Sequence, residues 1–215
     1  MPAYRSLGII ESPWMKDNNW YLGPTTLNPS DPGSVALVRD LFAQQFPLCS
    51  SPYANVGGDE PWELGIGKST GLCRERGRAC VFGDYMTQVV AACERSGKRA
   101  QYWCDPHPND DGTLPTDLVA LVWEYDEPNG FAERLAGHAE AGREVWVAPG
   151  TSTWSSLTSC TWNRRANLRR AAREGLGHGA RGYLVTDWGD CGNREQWPVR
   201  LFALLEGASA AWARR

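Results

Sequence analysis

Two acidic residues, Asp59 and Glu60, stand next to each other directly after Gly57 and Gly58. Paired carboxyl groups can share the work of a hydrolysis, because one donates a proton while the other stabilises developing positive charge. Enzymes that cleave glycosidic bonds commonly hold such groups on opposite sides of the bond, which neighbouring residues cannot easily do. The pair therefore favours a reaction in which one carboxyl is the proton donor and the other orients a nucleophile that belongs to the substrate.

The conformation of the pair also matters, because adjacent side chains of a regular strand face opposite ways. Two preceding glycines allow the backbone to turn, so that both carboxyl groups can reach one cleft.

Tryptophan is unusually frequent, with eleven among 215 residues. A buried indole needs a partner for its N–H group, so a surplus of tryptophan suggests a cleft, and sugar rings are a ligand whose apolar faces stack on indoles. A tryptophan-rich core is the alternative. Besides the two carboxylates, the candidate site residues are Trp103, Trp123, Tyr125, Trp154, Trp188 and Asp190.

The apolar pattern predicts the elements that must position these side chains. After Asp31, which begins a helix, five strands alternate with helices, which predicts βαβ units and a parallel sheet. The strands are predicted at 52–56, 99–104, 118–123, 144–148 and 182–187, and the helices at 35–46, 85–95, 130–141, 163–174 and 198–212.

The polar and aromatic residues fall just after the predicted strands, in the segments 57–60, 103–105, 123–126, 151–154 and 187–190. Parallel α/β proteins build their sites at the carboxyl ends of strands. We therefore expect these segments to form one binding cleft.

Several segments resemble a known family. The sequence NVGGDEPWELGIGKS at 55–69 is similar to the GGDE signature of glycoside hydrolase family 20, the β-N-acetylhexosaminidases. TTLNPSDPGS at 25–34, APGTSTW at 148–154 and TDWGD at 186–190 resemble further segments of the family, in the same order. The resemblance implies a (β/α)8 TIM-type barrel. Only about 50 residues precede the motif, too few for three βα units, so residues 1–215 are expected to form a single, partial barrel domain with strands four to eight.

The resemblance also implies roles for the carboxylates. Glu60 would be the general acid, and Asp59 would orient the 2-acetamido group of the substrate, whose oxygen attacks C1 to give an oxazolinium ion. Asp190 would bind sugar hydroxyls. No cofactor is implied.

For the aromatic residues, the resemblance implies that Trp103, Trp123 and Trp188 enclose the acetamido methyl group and the sugar ring, and a packing role is the alternative for each. Trp154 lies in the right loop, as a lid or a core residue. The family has a tyrosine on the acetamide oxygen that the segment 150–156 lacks, so Tyr125 is the candidate replacement.

The expected function is hydrolysis of terminal, non-reducing N-acetyl-β-D-hexosamine residues by a retaining, substrate-assisted mechanism. The partner would be a glycan with N-acetylglucosamine or N-acetylgalactosamine, and the sequence does not choose between these. One alternative is an inactive barrel remnant that binds carbohydrate, and another is an open five-stranded α/β domain with unrelated chemistry. A partial barrel would leave open strand edges, which invite self-association unless the chain is part of a longer protein.

Composition argues against other partners. The net charge is −3, so nucleic acid and membranes are not expected partners. The basic run at 163–170 is interpreted as a solvated helix face. Seven cysteines without a CxxC pair do not indicate a metal site, and with no signal peptide pattern at the N-terminus the expected location is cytoplasmic.

Overall fold

The computed structural model describes residues 26–104, 114–189 and 194–212. Five strands and six α-helices lie in these ranges. The strands are β1 (Tyr53–Asn55), β2 (Arg99–Cys104), β3 (Val119–Trp123), β4 (Val145–Ala148) and β5 (Gly182–Tyr183). The helices are α1 (Pro32–Gln45), α2 (Thr70–Arg76), α3 (Arg78–Arg95), α4 (Phe131–Glu140), α5 (Thr161–Gly177) and α6 (Trp197–Trp212), and a short 3-10 helix (Phe46–Leu48) follows α1.

The chain divides into two compact units, Met1–Leu118 and Val119–Arg215. In the first unit, β1 pairs in parallel with β2, and Asn55 lies opposite Gln101. The pairing continues past β1, because Trp103 N donates to Gly57 O at 3.0 Å. The ladder therefore carries the glycines that follow β1 to the same end of the sheet as Trp103.

In the second unit, β3 pairs in parallel with β4, and β4 pairs in parallel with β5. The four residues 119–122 of β3 are fully buried, as expected for a strand that is covered on both faces. Phe131 and Leu135 of α4 are also fully buried, at the i, i+4 spacing that brings two side chains onto one helix face.

Five parallel strands alternate with helices along the chain, as in a (β/α)8 barrel, so the predicted partial barrel is confirmed. The predicted strands and helices agree closely with the observed bounds, with three differences. Helix α2 was not predicted, α3 begins seven residues earlier than expected, and β5 is short.

The interpretation of the run 163–170 as a solvated helix face is wrong for three of its polar residues. Asn163, Arg164 and Asn167 are buried. Arg164 is 2% exposed and pairs with Glu206 of α6 at 2.6 Å. A buried guanidinium requires such a partner, and the partner stands 42 residues away.

Within the described ranges, no helix has both the length and the apolar character to span a bilayer.

Candidate active site

The segment after β1 has an unusual backbone. Gly57 and Gly58 have φ angles of +82° and +104°, and Glu60 has a φ of +46°. Left-handed backbone is readily adopted by glycine, whereas for other residues it costs on the order of 1 kcal/mol. The predicted turn therefore exists, and Glu60 itself lies in a strained conformation of the kind that clusters at functional sites.

Hydrogen bonds hold this turn in place at both ends. Asn55 Oδ1 accepts from Gly57 N at 2.8 Å. Trp62 N donates to Glu60 O at 2.7 Å, and Arg78 Nη2 donates to Pro61 O at 2.7 Å. The anchors compensate for the backbone strain, so the turn is pre-formed.

Asp59 is exposed and lines a cavity of about 290 Å³ in the first unit. The walls are mostly apolar and include Tyr85, Met86 and Val89 of α3. Burial raises the pKa of Tyr85 to about 12, so its phenol is neutral at physiological pH. Among the described residues that line this cavity there is no tryptophan.

Glu60 and Trp103 are half-buried. Trp103 belongs to β2, and its backbone bond to Gly57 sets it beside the strand end that carries the carboxylates. The first unit thus brings together three of the predicted site residues, Asp59, Glu60 and Trp103.

The second unit gathers four predicted residues around Tyr125. The rings of Trp123 and Tyr125 stack with centroids 5.3 Å apart, and the ring of Trp154 meets Tyr125 edge-on at 5.0 Å. Trp188 Nε1 donates to Tyr125 Oη at 2.8 Å. We call these four residues the Tyr125 cluster. Tyr125 is its centre, since it contacts all three tryptophans.

Charged and polar groups border the cluster at Trp123. The Arg134 guanidinium lies 5.6 Å from the Trp123 ring centroid and pairs with Glu124 at 2.8 Å. Trp123 Nε1 is buried and has no hydrogen-bond acceptor among the described residues. Buried indole N–H groups normally have an acceptor, so this donor is a candidate ligand contact.

Gly150 is a site residue that sequence reasoning missed. A Cβ atom at this position would lie 2.3 Å from Trp154 Cη2 and 2.9 Å from Tyr125 Cδ1. The two rings therefore rest on the backbone of Gly150. In the sequence, only the glycine of the segment APGTSTW indicates this role. Glycine is required because the ring of Trp154 folds back onto it and the ring of Tyr125 packs on it from another loop.

Asp187 is held by protein groups. Its Oδ1 accepts from the hydroxyls of Thr151 and Thr153 at 2.8 and 2.6 Å, and its Oδ2 pairs with Arg200 at 2.6 Å. Burial would raise the pKa of Asp187, but the hydrogen bonds from both threonines and Arg200 outweigh it and hold the pKa below its usual value. Asp187 therefore anchors the loop that leads to Trp188. Asp190 lies outside the described residues.

The chain matches the model of a known protein family. The model of glycosyl hydrolase family 20, catalytic domain, matches residues 2–180. This chain belongs to glycosyl hydrolase family 20.

Solved structures of family 20 enzymes have a similar fold. A β-N-acetylhexosaminidase from Bacteroides fragilis has 17% identity and a TM-score of 0.56, over 84% of this chain and 40% of the other. The family 20 β-N-acetylhexosaminidase from Streptomyces coelicolor has 14% identity and a TM-score of 0.54, over 88% and 44%. Another β-N-acetylhexosaminidase has 15% identity and a TM-score of 0.61, over 88% and 44%. A comparison with curated proteins finds no match.

The chain thus spans less than half the length of these solved family 20 structures. Identities of this size establish the shared fold. Within the family 20 fold, the strained turn with Glu60 and the Tyr125 cluster both follow the carboxyl ends of strands, where barrels of this type build their sites.

Proposed function

We propose that this chain carries the catalytic carboxylates of a glycoside hydrolase that releases terminal, non-reducing N-acetyl-β-D-hexosamine residues from glycans. The observation that carries the proposal is the pre-formed turn at Gly57–Glu60, with Glu60 at a φ of +46° directly after β1. Because strain persists only where surrounding contacts impose it, its presence at an acidic residue supports a catalytic role.

In the proposed reaction, Glu60 donates a proton to the glycosidic oxygen as the bond to C1 breaks. The acetamide oxygen of the substrate forms the new bond to C1, and Asp59 accepts the acetamide N–H and stabilises the positive charge of the oxazolinium ion. Water then attacks C1 as the bond between C1 and the acetamide oxygen breaks, and it gives a proton to Glu60, which restores the acid. Two displacements at C1 retain its configuration, and intramolecular attack has effective molarities of about 10⁵–10⁸ M.

The Tyr125 cluster is proposed to bind the amino sugar. Indole faces pack on the apolar side of a sugar ring. The Tyr125 hydroxyl would donate to the acetamide oxygen. In the family this role belongs to a tyrosine that the segment 150–156 of this chain lacks. Acceptance of the Trp188 N–H by Tyr125 supports this role, because an accepted hydrogen bond polarises the O–H group and makes it a stronger donor.

The test is hydrolysis of an aryl N-acetyl-β-glucosaminide by Glu60→Gln, which keeps the shape of the side chain and removes the acid. A loss of at least about 100-fold in kcat is expected. Glu140→Gln, at an exposed position of α4, is the matched control and should leave kcat unchanged. Wild-type turnover in Glu60→Gln would remove Glu60 from the acid role. Hydrolysis of an aryl N-acetyl-β-galactosaminide, measured in parallel, reports the preferred sugar configuration.

The role of Asp59 is tested separately. Asp59→Asn should lower kcat for N-acetylated substrates, and a thiazoline mimic of the oxazolinium ion should inhibit the wild-type protein. A covalent adduct between the protein and a fluorosugar would contradict the mechanism, because no protein nucleophile takes part in it.

A second candidate function is carbohydrate binding without hydrolysis. It is favoured by the Tyr125 cluster, because its packed aromatic rings can bind a sugar without the help of a catalytic carboxylate. Calorimetric titration with N-acetylglucosamine beside the hydrolysis assay distinguishes the two functions. Binding without turnover supports the second candidate.

A further inference from the structure

Helix α5 carries two buried asparagines, Asn163 and Asn167, which are 5% and 0% exposed. They stand four residues apart, so they lie on the same face of the helix. Asparagine is seldom buried unless its amide group is fully engaged.

Asn163 holds the loop that contains Tyr125. Its Nδ2 donates to Tyr125 O at 2.7 Å and to Ser152 Oγ at 2.9 Å. Its Oδ1 accepts from Glu127 N at 2.9 Å. The Asn163 amide thus binds the backbone of Tyr125 and the backbone of Glu127, two residues further along the same loop.

Asn167 joins the same loop to the one that follows β4. Its Nδ2 donates to Glu124 O at 2.9 Å, and its Oδ1 accepts from Gly150 N at 3.0 Å. Gly150 is the residue on which the rings of Tyr125 and Trp154 rest. The backbone on both sides of Tyr125 and the surface beneath its ring are therefore attached to one rigid helix.

We propose that Asn163 and Asn167 are positioning residues for the sugar site, acting through Tyr125. This inference rests on the proposed function, in which the Tyr125 hydroxyl binds the acetamide oxygen. Neither asparagine needs to touch the substrate. They hold the Tyr125 backbone so that its ring stays between Trp123 and Trp154 and its oxygen stays within reach of Trp188.

The test compares Asn163→Ala and Asn167→Ala with Tyr183→Phe. Tyr183 Oη donates to Leu168 O of α5 at 2.8 Å, so Tyr183→Phe also removes a partly buried hydrogen bond to this helix but leaves the Tyr125 loop untouched. Asn163→Asp serves as a second variant, because it keeps the shape and the Oδ1 acceptor but replaces the N–H donors with a carboxylate oxygen that faces Tyr125 O.

The first measurement reports the conformational order of Tyr125 and needs no sugar. Labelling with 3-fluorotyrosine gives one ¹⁹F signal for each of the seven tyrosines, and Tyr125→Phe identifies the signal of Tyr125. In the asparagine variants this signal should move toward the position of free fluorotyrosine, whereas in Tyr183→Phe it should stay. An unchanged Tyr125 signal in all three asparagine variants would overturn the proposal.

Function is read as kcat and KM on the aryl N-acetyl-β-glucosaminide. Misplacement of Tyr125 should lower kcat by about 10- to 100-fold, with a smaller change in KM. In a Tyr125→Phe background, the same asparagine substitution should lower kcat by a further factor of less than about three, because the effects of coupled residues are not additive. An equal loss of kcat in the wild-type and Tyr125→Phe backgrounds would contradict the proposal that the asparagines act through Tyr125. Wild-type protein that neither binds nor cleaves the sugar would refute the proposed function, while the ¹⁹F signal still decides the positioning role.

Discussion

Replacement of Gly150 by alanine tests the packing of the Tyr125 cluster directly. The added methyl group would lie 2.3 Å from Trp154 Cη2 and 2.9 Å from Tyr125 Cδ1. Carbon atoms are normally about 3.5–4.0 Å apart in contact. The Trp154 ring must therefore move by about 1 Å or more, and it is the ring with more freedom, because the Tyr125 backbone is bound by Asn163.

The expected loss follows from two contributions. Overpacking by one methyl group costs about 1–3 kcal/mol. The edge contact between Trp154 and Tyr125, with centroids 5.0 Å apart, is worth about 0.5–1.5 kcal/mol and is weakened when Trp154 moves. Since Trp154 is half-buried and can shift outward, we expect a decrease of about 2 kcal/mol in the free energy of unfolding, or about 4–8 °C in Tm for a chain of this size.

The assay is thermal and urea unfolding followed by circular dichroism, together with titration by N-acetylglucosamine. Gly137→Ala is the matched control, because a Cβ there meets nothing within 4 Å and alanine inside α4 should stabilise the protein by about 0.5–1 kcal/mol. A Gly150→Ala protein with wild-type Tm would refute the packing argument. Weaker sugar binding at unchanged Tm would locate the role of Gly150 in the site alone.

Two further predictions concern charged groups. The pKa of Asp187 is held below its usual value, so its contribution to stability is complete above the unfolded pKa of about 3.9 and is lost as the pH falls through the lower, folded pKa. Wild-type protein should therefore lose stability more steeply below about pH 4 than Asp187→Asn; parallel acid-unfolding curves would contradict this. Arg164→Ala breaks the buried pair with Glu206 and should cost near the lower end of about 3–5 kcal/mol, since Arg165 still pairs with that carboxylate. Arg165→Ala, at a half-exposed side chain, should cost under about 1 kcal/mol, and equal losses in urea unfolding would count against the burial argument.

Much of the fold could be predicted from local patterns. Strand β2 was predicted at 99–104 and is observed at Arg99–Cys104. Asp31 was predicted to begin a helix, and its side chain accepts from Gly33 N as the N-cap of α1. Runs of apolar residues and capping side chains act within a few residues of one another, so the sequence contains this information locally.

The turn before Asp59 could be predicted for the same reason. The glycines before Asp59 predicted a turn, and the backbone at Gly57 and Gly58 is left-handed as that turn requires. The strained backbone of Glu60 could not be predicted, because contacts such as the bond from Arg78 to Pro61 impose it from outside the motif.

The amino-acid sequence by itself determined the order of strands and helices, the turn that carries Asp59, and the positions of the aromatic residues at strand ends. Only the tertiary structure decided that Tyr125 is the centre of its cluster and that Asn163 is buried beneath it. The physical reason is distance along the chain. The Asn163 amide meets Tyr125 O across 38 residues, and no local period of hydrophobicity specifies which loop will supply the partner of a polar side chain.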